Sequence, residues 1–345
     1  MAEASVDRPP TSDADGDPPI LAVRDVRTYF DTPAGRVKAV DGVSFDLGRN
    51  DILAIVGESG SGKSVTALSI MKLVSSPPGH YESGSAVMDG IDLMALAPRE
   101  LASVRGSKLC MIFQNPRASL NPSFTIRTQL LETVRRHDPG RDRVDAERYV
   151  KSLLRSVGFA DVERVEASYP HQLSGGMCQR IALALAFACR PEVLIADEPT
   201  TALDVVVQAR ILHLLQRAHS ERQLPVILIT HDFGVVRALA NRVIVMYAGR
   251  IQETGGVDQI IHDPQHPYTR ALVAAVPDPE RAAERFLQIP GQPPDLLNLP
   301  SGCKFADRCH QVMAICRAVE PEMRTSPSGS SVRCHLFPTV REEAA

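Results

Sequence analysis

Eight consecutive residues, Gly57-Glu58-Ser59-Gly60-Ser61-Gly62-Lys63-Ser64, bring glycines, hydroxyls and one ammonium into the spacing G-x-x-x-x-G-K-[ST]. Glycines let successive backbone N–H groups curl around phosphate oxygens, and a helix N-terminus just beyond adds a favourable dipole. An apolar strand, Ile52 to Val56, runs into this loop, and a helix from about Gly62 to Leu73, with Val65 in its first turn, runs out. Lys63 is therefore expected to reach the β- and γ-phosphates of a bound nucleotide, and the Ser64 hydroxyl to ligate Mg²⁺.

A second constellation is Val193-Leu-Ile-Ala-Asp197-Glu198, an apolar strand ending in two carboxylates. Beside a phosphate loop, Asp197 is expected to hold Mg²⁺ and Glu198 to orient or deprotonate an attacking water. His231 follows another buried strand, Val226 to Thr230, at the carboxyl end where open α/β sheets place their ligands. Cys303, Cys309, Cys316 and Cys334 crowd the last fifth of the chain. Four thiolates suit tetrahedral Zn²⁺ or an iron–sulfur cluster; tight C-x₂-C knuckles are absent, and spacing alone does not choose.

These groups need a scaffold. The 345 residues are 44% hydrophobic and 23% charged with a formal net charge of −3, an ordinary balance that gives no basic field for nucleic acid. No apolar run approaches the roughly 20 residues that span a bilayer, and no apolar h-region follows Met1, so a cytoplasmic protein is expected. Residues 1–18 read as a disordered tail. Leu21 to Phe30 and Lys38 to Leu47 read as antiparallel strands, 120–190 as mostly helical, and Arg242 to Thr254 as a hairpin turning at Ala248-Gly249. Beyond about 263 the chain becomes Pro-rich and leads to the cysteines.

Leu173-Ser174-Gly175-Gly176-Met177-Cys178-Gln179-Arg180 resembles the signature sequence of the ABC ATPases, with Ser174 capping a helix whose Gly175 and Gly176 bare its end. Gln114 is similar to the glutamine that touches Mg²⁺ and reports the γ-phosphate to membrane subunits. Thr201-Ala202-Leu203-Asp204 resembles the D-loop, His231 the switch histidine, and Phe30 the aromatic residue that stacks on adenine. The resemblance implies an α/β P-loop NTPase of the ABC type, with an antiparallel β subdomain, a helical subdomain and a small Cys-rich C-terminal extension. The corresponding division is 1–18 tail, 19–263 nucleotide-binding domain with its helical subdomain at about 120–185, and 264–345 extension. Cys178 departs from the usual long polar residue and is expected to leave an oxidisable thiol near the dimer contact.

Phe113-Gln114-Asn115-Pro116, Ser119-Leu120-Asn121-Pro122, Tyr169-Pro170-His171-Gln172 and His266-Pro267-Tyr268-Thr269 look like the ATP-binding subunits of oligopeptide and dipeptide importers, as does the cysteine tail with Phe305 and Arg308 between its first pair. That resemblance implies a [4Fe–4S] cluster on Cys303, Cys309, Cys316 and Cys334. It also implies a chain peripheral to the cytoplasmic face of the membrane. Its expected partners are a second, related ATP-binding subunit, two transmembrane permease subunits and, through them, an extracytoplasmic substrate-binding protein. Catalysis is expected of Glu198, His231, Lys63 and Gln114; Ser174, Gly175, Gly176 and Asp204 are expected at the nucleotide of the facing subunit. Nickel complexes and glutathione-like molecules stand as other cargoes of related importers. A soluble repair or translation ATPase is disfavoured because neither an inserted coiled coil nor a second cassette is present.

Overall fold

The computed structural model describes residues 18–201, 203–275 and 289–337. The expected tail lies outside these residues except for its last position, and so does Ala202. The described chain forms two compact units, one from Met1–Ala95 with Thr230–Ala345 and one from Leu96–Ile229.

The first unit opens with β1 (Leu21–Thr32) and β2 (Gly35–Leu47), an antiparallel pair with core-facing residues such as Val23, Val40, Val43 and Leu47. Next come β3 (Ile52–Val56), all five of its residues buried, and α1 (Lys63–Ile70). The chain then adds β4 (Gly79–Met88) beside β1 and the short β5 (Ile91–Asp92), giving the antiparallel order β2-β1-β4-β5. The polar run His80 to Ser85 hides β4 from a hydrophobicity reading, although its pairing with β1 is regular at both ends.

The second unit runs α2 (Pro98–Val104), β6 (Leu109–Ile112), α3 (Pro116–Ser119), α4 (Ile126–His137), α5 (Arg143–Ser156), α6 (Val162–Ala167), α7 (Gly175–Ala188), β7 (Val193–Asp197), α8 (Val205–Arg222) and β8 (Val226–Ile229). Strands β6, β7 and β8 are parallel, with β7 in the middle and wholly buried. Buried on both faces, such strands read as continuous apolar runs. Helix α7 starts at a Ser174 cap whose Oγ accepts the Met177 N–H at 3.3 Å, and it packs on α3, α4 and α5. Its interior corrects one expectation. Cys178 is 0% exposed, with Sγ 3.6 Å from the Pro170 carbonyl, so it packs as a small apolar residue and offers no exposed thiol.

The first unit resumes with α9 (Phe233–Leu239), β9 (Arg242–Tyr247), β10 (Arg250–Gly256), α10 (Val257–His262), α11 (Pro267–Ala274), α12 (Ala314–Ala318), β11 (Arg324–Thr325) and β12 (Ser331–Val332). Strand β9 lies parallel to β3 and turns into antiparallel β10 through Ala248 (φ 47°) and Gly249 (φ 78°), the left-handed pair of a tight hairpin. Strand β12 pairs with the outer side of β10 (Glu253↔Val332), and β11 with β12. The Cys-bearing segment thus extends the sheet that carries the loop 57–64. Beneath it Tyr247, Tyr268 and Phe305 pack as an aromatic trio with centroids 4.6–5.4 Å apart.

Candidate nucleotide site

The loop 57–64 joins β3 to α1, and close backbone approach explains two of its three glycines, while Gly60 stands in open space with a left-handed φ of 78°. A Cβ on Gly57 (φ 151°) would stand 2.2 Å from the Met246 carbonyl oxygen, and one on Gly62 (φ 101°) 2.4 Å from that of Ala39. Gly249 N–H donates to the Ser61 carbonyl at 3.0 Å, so the hairpin supports the loop from below. Lys63 is buried, its Nζ donating to the carbonyls of Gly57 (2.8 Å) and Glu58 (3.0 Å). The Ser61 hydroxyl is buried with no hydrogen-bond partner. A cradle of this shape with an orphaned hydroxyl and an ammonium fits a polyphosphate.

Glu58 is held at three points. Its N–H donates to the Tyr268 hydroxyl at 2.8 Å, and its carbonyl accepts Lys63 Nζ. Its carboxylate takes a bidentate pair from Arg308, Nη1 to Oε2 at 2.7 Å and Nη2 to Oε1 at 3.0 Å. Burial pushes the Tyr268 phenol well above its ordinary range, so it stays a neutral hydroxyl. Neither Tyr268 nor Arg308 carries a spacing that points at residue 58; they were legible only as parts of a family resemblance.

In the second unit, Asp197 ends β7, buried, and Glu198 follows at φ 46°, a left-handed conformation costly for a side chain of this size. Its backbone N–H is fixed by the Ile229 carbonyl at 2.9 Å. Glu198 Oε2 accepts from Gln114 Nε2 at 2.9 Å and from the Thr201 hydroxyl at 2.8 Å. The structure therefore brings Gln114 and Glu198 together and adds Thr201, which sequence reasoning placed only within a turn motif. Gln114 is linked onward: Arg117, three residues later, donates to the Leu173 carbonyl at 2.7 Å, just before Ser174.

Gly175 has open space around it. A Cβ on Gly176 would meet Val207 Cγ1 of α8 at 2.8 Å. Asp204 caps α8, its Oδ1 accepting the Val207 N–H at 2.9 Å. Phe30 lies half-buried on β1, with Cε1 close to Gly79, and His231 is exposed in the first unit ahead of α9, where Asp232 caps.

The four C-terminal cysteines are free thiols within electrostatic reach of one another. Burial first, then repulsion from neighbouring cysteine thiolates, pushes Cys303 and Cys334 up to about 11. Such mutual repulsion is what a bound soft cation relieves, so the donor chemistry fits a thiolate-ligated metal. Among the described residues, no three His, Cys, Asp or Glu side chains already stand in a metal-holding arrangement.

Comparison with known proteins gives matches over both halves of the chain. The family model described as "ABC transporter" matches residues 40–201, and the one described as "Oligopeptide/dipeptide transporter, C-terminal region" matches 252–316. The oligopeptide transport ATP-binding protein OppD of Bacillus subtilis is 47% identical over 305 residues, 88% of this chain and 85% of that protein. The dipeptide transport ATP-binding protein DppD of the same organism is 44% identical over 325 residues, 94% and 97% of the two chains. Among solved structures, the dimeric ATP-binding cassette MJ0796 bound to ADP and Pi is similar at TM-score 0.62 and 26% identity, covering 69% of this chain and 98% of that one.

Proposed function

We propose a function from one premise: the chain belongs to the ATP-binding subunits of ABC transporters, in their oligopeptide and dipeptide branch. It is an ABC-type ATPase, and the reading is that its hydrolysis of ATP drives import of di- and oligopeptides across the cytoplasmic membrane. The observation that carries this beyond a generic cassette is the match of residues 252–316 to the C-terminal region of that branch. Among the described residues no helix is long and apolar enough to cross a membrane, so transport requires other chains. The partners are a second, related ATP-binding subunit, two permease subunits and, through them, an extracytoplasmic binding protein. The chain then sits peripherally on the cytoplasmic face.

The roles divide as follows. The loop amides from Gly57 to Val65, with Lys63, bind and orient the triphosphate. Ser64, Gln114 and Asp197 would hold Mg²⁺, which when bound neutralises phosphate charge. Glu198 takes the proton of the attacking water, its carboxylate oriented by the hydrogen bonds that Gln114 and Thr201 donate to Oε2. His231 and Lys63 stabilise charge on the transferring phosphoryl group, and Phe30 stacks on the base. Ser174, Gly175, Gly176 and Asp204 serve the nucleotide held by the facing subunit. The region 264–345 is the importer-specific extension of a 19–263 cassette. In it Cys303, Cys309, Cys316 and Cys334 would hold a [4Fe–4S] cluster, which when bound would clamp a segment short of apolar core. After anaerobic purification, iron and sulfide with a broad visible band lost in Cys309→Ser support that assignment; stoichiometric zinc without colour replaces it.

The functional test is uptake of labelled di- and oligopeptides in cells lacking this chain, complemented with wild type or Glu198→Gln. Uptake restored by wild type and not by the variant upholds the reading. Peptide uptake that never changes, with loss of nickel or glutathione uptake, would move the cargo and keep the ATPase.

A further inference from the structure

The contact between Glu58 and Arg308 spans 250 positions and joins the phosphate loop to the Cys-bearing segment. Glu58 stands second in the loop, one residue from a carbonyl that also binds Lys63. A carboxylate there is an anion beside the cradle for a polyanion, and its field opposes nucleotide binding unless it is neutralised. Arg308 neutralises it. Its side chain is only 6% exposed against 20% for Glu58, so bulk water screens the pair weakly.

Every donor direction of the Arg308 guanidinium is used. Nε donates to the Pro290 carbonyl at 2.8 Å, Nη2 also reaches the Ile289 carbonyl at 3.3 Å, and Nη1 also reaches the Tyr247 hydroxyl at 3.1 Å. Tyr247 and Phe305 lie 5.7 and 5.8 Å from the guanidinium carbon, within cation–π range. The fork is thus built in place by the extension itself, between Cys303 and Cys309 in the chain. Tyr268 of α11 adds the second hold by accepting the Glu58 N–H. Such a planar, five-donor arrangement is specific to arginine; a lysine ammonium reproduces its charge without its geometry.

We propose that Arg308 is a positioning residue for ATP binding: it neutralises and anchors the Glu58 carboxylate, so that the C-terminal extension sets the nucleotide affinity of the phosphate loop. The inference rests on residues 57–64 being the ATP site and adds a dependence on a segment beyond the cassette. It separates charge from mere anchoring by sign. Losing Arg308 leaves an unpaired anion by the phosphates, whereas losing the Glu58 charge leaves an unpaired cation, which favours them.

The test measures the Kd for MgATP and the KM and kcat of ATP hydrolysis on the purified full chain, for wild type, Arg308→Gln, Glu58→Gln and the double variant. Arg308→Gln is expected to raise Kd and KM about tenfold with kcat changed less than about twofold. Glu58→Gln is expected to bind MgATP as tightly as wild type or tighter, and the double variant to return to within about threefold of wild type. Arg308→Lys should fall between wild type and Arg308→Gln. Weakened binding in Glu58→Gln, an unrescued double variant, or unchanged affinity in Arg308→Gln each overturns the proposal. If Arg308→Gln does not fold, Glu58→Gln alone decides by the same sign. Failure of wild type to bind MgATP would instead sink the assignment of the loop.

Discussion

Gln114 Nε2 lies 2.9 Å from Glu198 Oε2, which ties the loop after β6 directly to the carboxylate after β7. Because Thr201 donates to the same oxygen at 2.8 Å, that oxygen is committed and the carboxylate orientation is fixed before substrate arrives. The left-handed backbone of Glu198 is held against its own preference by the Ile229 carbonyl. Strain kept at a single carboxylate in this way belongs to positioning.

Glu198→Gln preserves shape and removes basicity. ATP turnover in the assembled transporter is expected to fall about 10²–10⁴-fold, with MgATP still bound. Single-turnover hydrolysis together with equilibrium nucleotide binding checks both halves. Turnover within a few-fold of wild type would remove Glu198 from the role of base.

The neighbouring signature glycines are expected to separate in stability. Gly176→Ala drives a methyl to 2.8 Å from Val207 Cγ1 and should cost about 1–3 kcal/mol, while Gly175→Ala enters open space and should change stability by less than about 0.5 kcal/mol. Urea denaturation of the two variants measures the difference directly. Equal losses would show that Val207 yields freely.

His266 supplies a pH dependence with a definite sign. It is 1% exposed, its Nδ1 accepts the Tyr268 N–H at 3.0 Å, and burial lowers it from 6.5 to about 3. The folded chain holds it neutral where the unfolded chain protonates it. Its contribution is therefore complete above pH 6.5 and is lost as pH falls towards about 3. The slope attributable to this one proton is about 1.4 kcal/mol per pH unit. In urea unfolding on the acid side of neutrality, His266→Asn should show a shallower dependence than wild type. Parallel curves would mean that His266 is already protonated in the fold.

The cassette was readable because its chemistry is local. Gly57 to Ser64, Asp197-Glu198 and Ser174 to Gly176 are contiguous motifs, and β3, β7 and β8 are unbroken apolar runs that need no partner to be recognised. The expected hairpin at Ala248-Gly249 was equally local, fixed by two left-handed residues. What escaped was long-range. Strand β4 is polar along its middle and is a strand because β1 pairs with it. Strands β11 and β12 are two residues each, too short for any periodicity. The Arg308–Glu58 pair depends on two segments that only the fold brings together. Cys178 failed for a related reason: its register on α7 turns it inward beneath Pro170, which identity alone does not reveal.

The pairing of β12 with β10 has a consequence for handling the protein. A chain cut back to the cassette would present β10 as an open border of unpaired N–H and C=O groups next to apolar Ile251, ready to recruit the same border of another copy. The extension closes that border with two very short strands, too small to template further growth. Purified cassettes lacking it should therefore self-associate through β10, while the full chain under the same conditions should not.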